Sequence, residues 1–201
     1  QLSAELYRQI ILNGEFSIDH WLHRYAEVML TPGWHNDTYI EEYHRAFFQN
    51  YGKGKPLRSC GVKDFHIGSL SLLPGLLAGL EAIEQTEPAF LMECALTLVR
   101  STHDDEKALR ATTDLVRILI HLLQSGCIQE TVEALPLPGI SSKNLRKWAS
   151  LDDRLVVGEK LSTACYLPDS FIASVYLSWK YHDNFHSGVI ANARVGGDNC
   201  H

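Results

Sequence analysis

No two of the five cysteines, Cys60, Cys94, Cys127, Cys165 and Cys200, stand in a CxxC pair. Their odd number and wide spacing speak against a disulfide framework or a zinc site. They fit reduced thiols in a cytoplasmic protein, most of them small core residues. A basic surplus is missing too, with 18 Lys and Arg against 24 Asp and Glu and a net charge of -6. Proteins that bind the phosphate backbone do so by releasing counterions from it, so general nucleic-acid binding is not expected. Apolar runs such as "SLLPGLLAGL" (71–80) are too short and too broken to span a bilayer, and no membrane partner is expected. The opening "QLSAE" carries no signal-peptide pattern. Alternation of strand length is absent, as is any repeat with a period of about 20 to 50 residues.

What remains is helical. At 201 residues, the chain is long enough for a single domain that buries roughly 70% of its unfolded surface. Leu2, Leu6 and Ile10 form one apolar stripe, and Ile18, Trp21, Leu22, Tyr25 and Met29 form the next. Thr31-Pro32-Gly33 forces a turn, and Tyr39, Ile40, Tyr43 and Phe47 predict a third helix. A loop over 50–61 leads to an apolar helix from about Gly68 to Gln85, which Pro74 should kink or restart. The best-marked helix runs from about Asp104 to Gln124. Its predicted buried face is Ala108, Ala111, Leu115, Ile118, Leu119 and Leu122, with Thr102 as cap and Ser125-Gly126 as stop. Shorter helices are expected at 143–149, 159–181 and 184–195. The fold class is all-α, a compact multi-helix bundle.

Side chains capable of chemistry gather at four loop-to-helix junctions: "GWHNDTY" (33–39), "CGVKDFHIG" (60–68), "STHDDEKA" (101–108) and "GGDNCH" (196–201). Each has a bland explanation, because Asn36, Asp37 and Thr102 suit helix caps and glycines end helices. Two metal readings compete with it. In the first, His103-Asp104 is the HD pair of an α-helical phosphohydrolase that activates water with a divalent ion. In the second, the Gly-Gly-Asp segment is half of a carboxylate site for a hard cation such as Mg²⁺.

The ordered segments "TPGWHNDTYIEEYHRAFF", "CGVKDFHIG", "STHDDEKALRAT", "ACYLPDSFIASVYL" and "ANARVGGDNCH" resemble the ADP-ribosylglycohydrolase family, and within it the branch that includes the J1 crystallins. The resemblance covers nearly the whole chain. It implies an all-α fold with a binuclear Mg²⁺ site at a cleft, where the bond between ADP-ribose and an acceptor is hydrolysed. It further implies that Asp198 holds metal and that Gly196 and Gly197 border the ligand. Gly61 would let the backbone approach the diphosphate. Asp64 and His66 would bond ribose hydroxyls, and His103 would line the cleft.

The carry-over also exposes departures. The family's Gly-Gly-Asp-Thr-Asp-Thr motif is matched only at Gly196, Gly197 and Asp198. Asn199 replaces a threonine, Cys200 stands where the second metal aspartate belongs, and His201 replaces the metal-binding threonine. A thiol or imidazole is a poor exchange for oxygen around Mg²⁺. The resemblance also implies an Asp-Asp motif before residue 1 and a helix beyond residue 201, so the sequence is expected to be part of a longer one. The readings are therefore an ADP-ribosyl hydrolase with an incomplete Mg²⁺ site, a non-catalytic ADP-ribose-binding or crystallin-like relative, and the HD-type phosphohydrolase. The sequence leaves the acceptor and the oligomeric state open.

Overall fold

The computed structural model describes residues 1–35 and 39–197, together with all side chains in those ranges except that of Ser125. Eleven α-helices are formed among the described residues, together with two short 3-10 turns and three isolated β-bridges. The all-α class follows directly. The chain divides into two compact units, the first made of residues 1–65 and 69–113 and the second of 66–68 and the residues from 114 onward. No described helix is long and apolar enough to cross a membrane.

The first unit contains α1 (Leu2–Asn13), α2 (Ile18–Leu30), α3 (Glu42–Gly52), α4 (Leu73–Ala82), α5 (Pro88–Arg100) and the opening turns of α6 (Glu106–Ser125). Its core takes Leu6 and Ile10 from α1, and Trp21, Leu22 and Tyr25 from α2, as their spacing predicts. Contact between α1 and α4 depends on small residues. A Cβ at Gly79 would stand 2.9 Å from Ile10 Cδ1, and one at Gly75 would stand 2.6 Å from Ser3 Oγ and closer still to the Ser3 carbonyl. Gly75 also donates its N–H to Ser3 Oγ at 3.1 Å. The residue before α4, Leu72, offers no side-chain cap. The hydroxyl of α1 therefore satisfies one of the first-turn N–H groups that every helix leaves orphaned. Pro74 does restart the chain: a 3-10 turn over Ile67–Leu70 precedes α4, and the proline lies in the first turn, where its missing N–H costs nothing.

The second unit contains α7 (Ile128–Ala134), α8 (Ser142–Ala149), α9 (Asp153–Val156), α10 (Asp169–Lys180), α11 (Phe185–Val195) and the rest of α6. A polar knot fastens α9 to α10. Asp153 accepts hydrogen bonds from the Tyr176 hydroxyl at 2.7 Å, Lys180 Nζ at 2.8 Å and the Tyr181 hydroxyl at 2.7 Å. Lys180 also donates to the Leu151 carbonyl at 3.0 Å. Burial pushes the Asp153 carboxyl up, but the hydrogen bonds from Lys180, Tyr181 and Tyr176 outweigh it and leave the group below its ordinary value. The hydrogen bond to Asp153 and burial push the Tyr181 hydroxyl up to about 12.

Several boundaries differ from the sequence expectation. Helix α3 starts at Glu42, so Tyr39 and Ile40 precede it, and Tyr39 is exposed beneath the Arg45 guanidinium. The cap of α6 is Asp105, whose Oδ1 accepts the Lys107 N–H at 2.8 Å, and not Thr102. The fully buried face of α6 includes Ala108, Ala111, Thr112, Val116 and Ile118, while Leu115, Leu119 and Leu122 are only half-buried. Residues 159–168 are loop rather than helix: Val157 and Leu161 form one bridge and Tyr166 takes part in another, to His66. Asn36 and Asp37, expected as caps, lie outside the described residues.

Candidate functional site

In the first unit, Gly61 and His103 come together through backbone pairing. Val62 and His103 form a parallel bridge, in which the Val62 N–H donates to the Thr102 carbonyl at 3.1 Å and the Asp104 N–H donates to the Val62 carbonyl at 2.9 Å. Gly61 is required by this contact, because a Cβ there would stand 2.5 Å from the Ser101 carbonyl oxygen. The glycine is thus accounted for by the approach of its own chain, whatever a ligand adds. His103 is 1% exposed. Its ring packs on Tyr43 at a centroid distance of 4.2 Å, and its Nδ1 lies 2.9 Å from Thr102 Oγ1. A ligand reaches this imidazole only after local opening. Asp64 is half-buried in the same loop, near the ring of Phe65, over which Lys107 Nζ sits at 4.2 Å.

The two members of the HD pair part from each other. Asp104 is 66% exposed and pairs with Arg100 at 3.5 Å, whereas His103 is buried. Each remaining adjacent acid has a structural task. Asp105 caps α6, Asp152 caps α9 by accepting the Arg154 N–H at 2.9 Å, and Asp153 is held in the knot. Nothing in this arrangement gathers acids around a shared point.

In the second unit, His66 is 7% exposed. Its Nδ1 accepts the Gly68 N–H at 2.9 Å, which places the ring proton on Nε2. The segment is tied to the 165–166 loop by the Ile67 N–H to the Cys165 carbonyl at 2.8 Å and by the bridge to Tyr166, whose ring meets the imidazole edge-on at 5.9 Å. At the other end of this unit, Gly196 has φ 83 and ψ -171, a conformation reserved almost entirely for glycine. Gly197 has φ 81, and a Cβ there would run into the Thr163 backbone. Both glycines of the motif are therefore needed for the exit from α11 to run against the 162–165 loop. Asp198, Asn199, Cys200 and His201 lie outside the described residues.

Beside Gly196 is a notch of ≈ 40 Å³, lined by Ser162, Thr163, Ser170, Ser174 and Asn192 among others. Sequence reasoning gave no role to Ser170 or Asn192. Nor did it foresee Tyr43 against His103 or Tyr166 against His66, since aromatic stripes read equally well as core. The His66–Tyr166 contact had no local signal, because the partner residues are far apart in the chain.

A model of the ADP-ribosylglycohydrolase family matches residues 2–201, and the chain belongs to that family. Comparison with curated proteins and with solved structures found no match. The resemblance implies magnesium; among the described residues no three Asp, Glu, His or Cys side chains converge to hold a metal ion, and Asp198, the expected ligand, lies outside them.

Proposed function

We propose that this chain recognises ADP-ribose and hydrolyses the glycosidic bond joining it to an acceptor. The observation that carries the reading is the family match over residues 2–201. The pairing of Gly61 with the turn that bears His103 supports it, because two segments singled out by the resemblance are neighbours in the first unit. In this reading Gly61 and Asp64 belong to the ligand-binding loop. His66, Gly196 and Gly197 keep the substrate-binding roles that the resemblance implies for them, and His103 acts through local opening. Magnesium enters the proposal only through Asp198, and no step is assigned to it. A cytoplasmic setting and kinship with the J1 crystallins belong to the same proposal.

Cys200 and His201 favour a second reading, a non-catalytic relative that binds ADP-ribose or serves as a crystallin does. Both substitutions trade hard oxygen donors for softer ones. The deciding experiment follows release of ADP-ribose from ADP-ribosylated protein, with Mg²⁺ and then with EDTA. Liberated ADP-ribose is the expected result. Binding without release would establish the second reading, and liberated phosphate or pyrophosphate would point instead to the HD-type hydrolase. The absence of both binding and release would overturn the proposal.

A further inference from the structure

The contact between α1 and α4 has a core side and a water side. Ser3 lies at the level of Gly75 and Ile10 at the level of Gly79, so the two helices run in the same direction. On one side of their contact Leu6, Leu76 and Leu80 are buried in the core. The opposite side follows from the helical turn: it carries Ala4, Tyr7 and Ile11 from α1 and Ala78 and Ala82 from α4. All five are exposed, Tyr7 at 41% and Ile11 at 39%. Apolar residues at such helical spacing ordinarily face a core. Here two apolar rows lie side by side in water, which marks a surface that binds something.

The two rows are complementary to each other. Tyr7 and Ile11 are large and project, whereas Ala78 and Ala82 are small and leave a shallow track at about the same height along the helix pair. A surface whose bulky row matches its own small row fits a second copy of itself. A two-fold axis parallel to the helices brings α1 of one copy over α4 of the other. The charges at the outer edges agree with that operation. Arg8 lies beyond Ile11 at the outer edge of α1, Glu81 lies beyond Ala78 at the outer edge of α4, and both are exposed. The same rotation sets Arg8 of each copy against Glu81 of the other. Arg8 already holds Glu5 at 2.8 Å, and a guanidinium has donors to spare for a second carboxylate.

We propose that this face is the interface of a two-fold dimer of the chain, with Tyr7 and Ile11 packed on Ala78 and Ala82 and with Arg8 paired to Glu81 across it. Helices of 12 and 10 residues present a small area, so the dimer is weak and concentration-dependent. Nothing in it depends on the hydrolase reading. Sedimentation of the full chain at concentrations up to about 1 mM, the weak end of specific association, tests it. The expected result is a reversible monomer–dimer equilibrium that weakens as salt is added. Ala78→Arg blocks the small row without touching the core, and should leave only monomer. Glu81→Arg should weaken the dimer by about tenfold or more. Arg8→Glu should do the same, and mixing the Arg8→Glu and Glu81→Arg chains should restore the dimer, because opposite charges then face each other again. Should Arg8→Glu fail to fold beside Glu5, Ala78→Arg and Glu81→Arg decide the matter. A chain that stays monomeric throughout, a dimer that survives Ala78→Arg or Glu81→Arg unchanged, a mixture of folded variants that stays monomeric, or an open-ended assembly would overturn the proposal.

Discussion

The α1–α4 contact in the first unit and the α9–α10 contact in the second solve the same problem by opposite means. Helices α1 and α4 meet where Gly75 and Gly79 leave out side chains, so the backbone of one helix lies against the other. A polar bond there is the Ser3 hydroxyl accepting the Gly75 N–H. Helix α9 has a single turn that buries one apolar side chain, Val156, and is held to α10 by one carboxylate with three donors. A long helix can be fixed by shape alone. A four-residue helix needs directional bonds, because its buried area cannot offset the loss of chain entropy.

Removing the carboxylate should therefore do the most damage. Asp153→Ala strands a mostly buried Lys180 and two tyrosine hydroxyls, and is expected to cost about 3 kcal/mol in a denaturant titration. Filling the helix contact should cost less. Gly75→Ala places a Cβ against the Ser3 backbone, and the two helices must separate slightly, at about 2 kcal/mol. Hydrogen exchange would show that loss in α1 and α4. If Gly75→Ala proved neutral, the close approach would not be a constraint.

Acid sharpens the contrast further. The Asp153 carboxyl is held below its ordinary value of 3.8. Its contribution is therefore present above that value and is lost as the pH falls through the lower folded value. Amides of α9 and the end of α10 should lose protection in that window. Asp153→Asn should remove this step from the acid titration, and an unchanged step would assign it to another group. The smallest effect is expected at Ser170. Because its Oγ has no partner, Ser170→Ala should leave the midpoint unchanged or raise stability by up to about 1 kcal/mol. A loss of that size would mean that the hydroxyl holds the fold.

The helices with regular stripes were legible from the chain, as were their punctuation marks. Leu6, Ile10, Trp21, Leu22 and Tyr25 are buried where the 3.6-residue period places them, and Pro74 and Gly126 mark real boundaries. The loop over 159–168 was misread because its apolar residues pair across short bridges rather than along a helix. On α6 the apolar count favoured Leu115, Leu119 and Leu122, while Thr112 is fully buried by sending its hydroxyl to the Ala108 carbonyl at 2.8 Å. Periodicity scores a threonine as polar and does not anticipate that bond. Of the candidate site, the resemblance singled out Gly61 and His103 separately, and the pairing of their segments through Val62 was not foreseen. The burial of His103 and the notch at Ser170 depend on residues distant in sequence, and no local pattern encodes them.

The most direct test of ADP-ribose recognition is a calorimetric titration of ADP-ribose into the full chain, first with Mg²⁺ and then with EDTA. Saturable binding is the predicted result. A dependence on Mg²⁺ would assign a working metal site to the chain, and indifference to Mg²⁺ would favour the non-catalytic relative. No heat of binding in either condition would contradict the account.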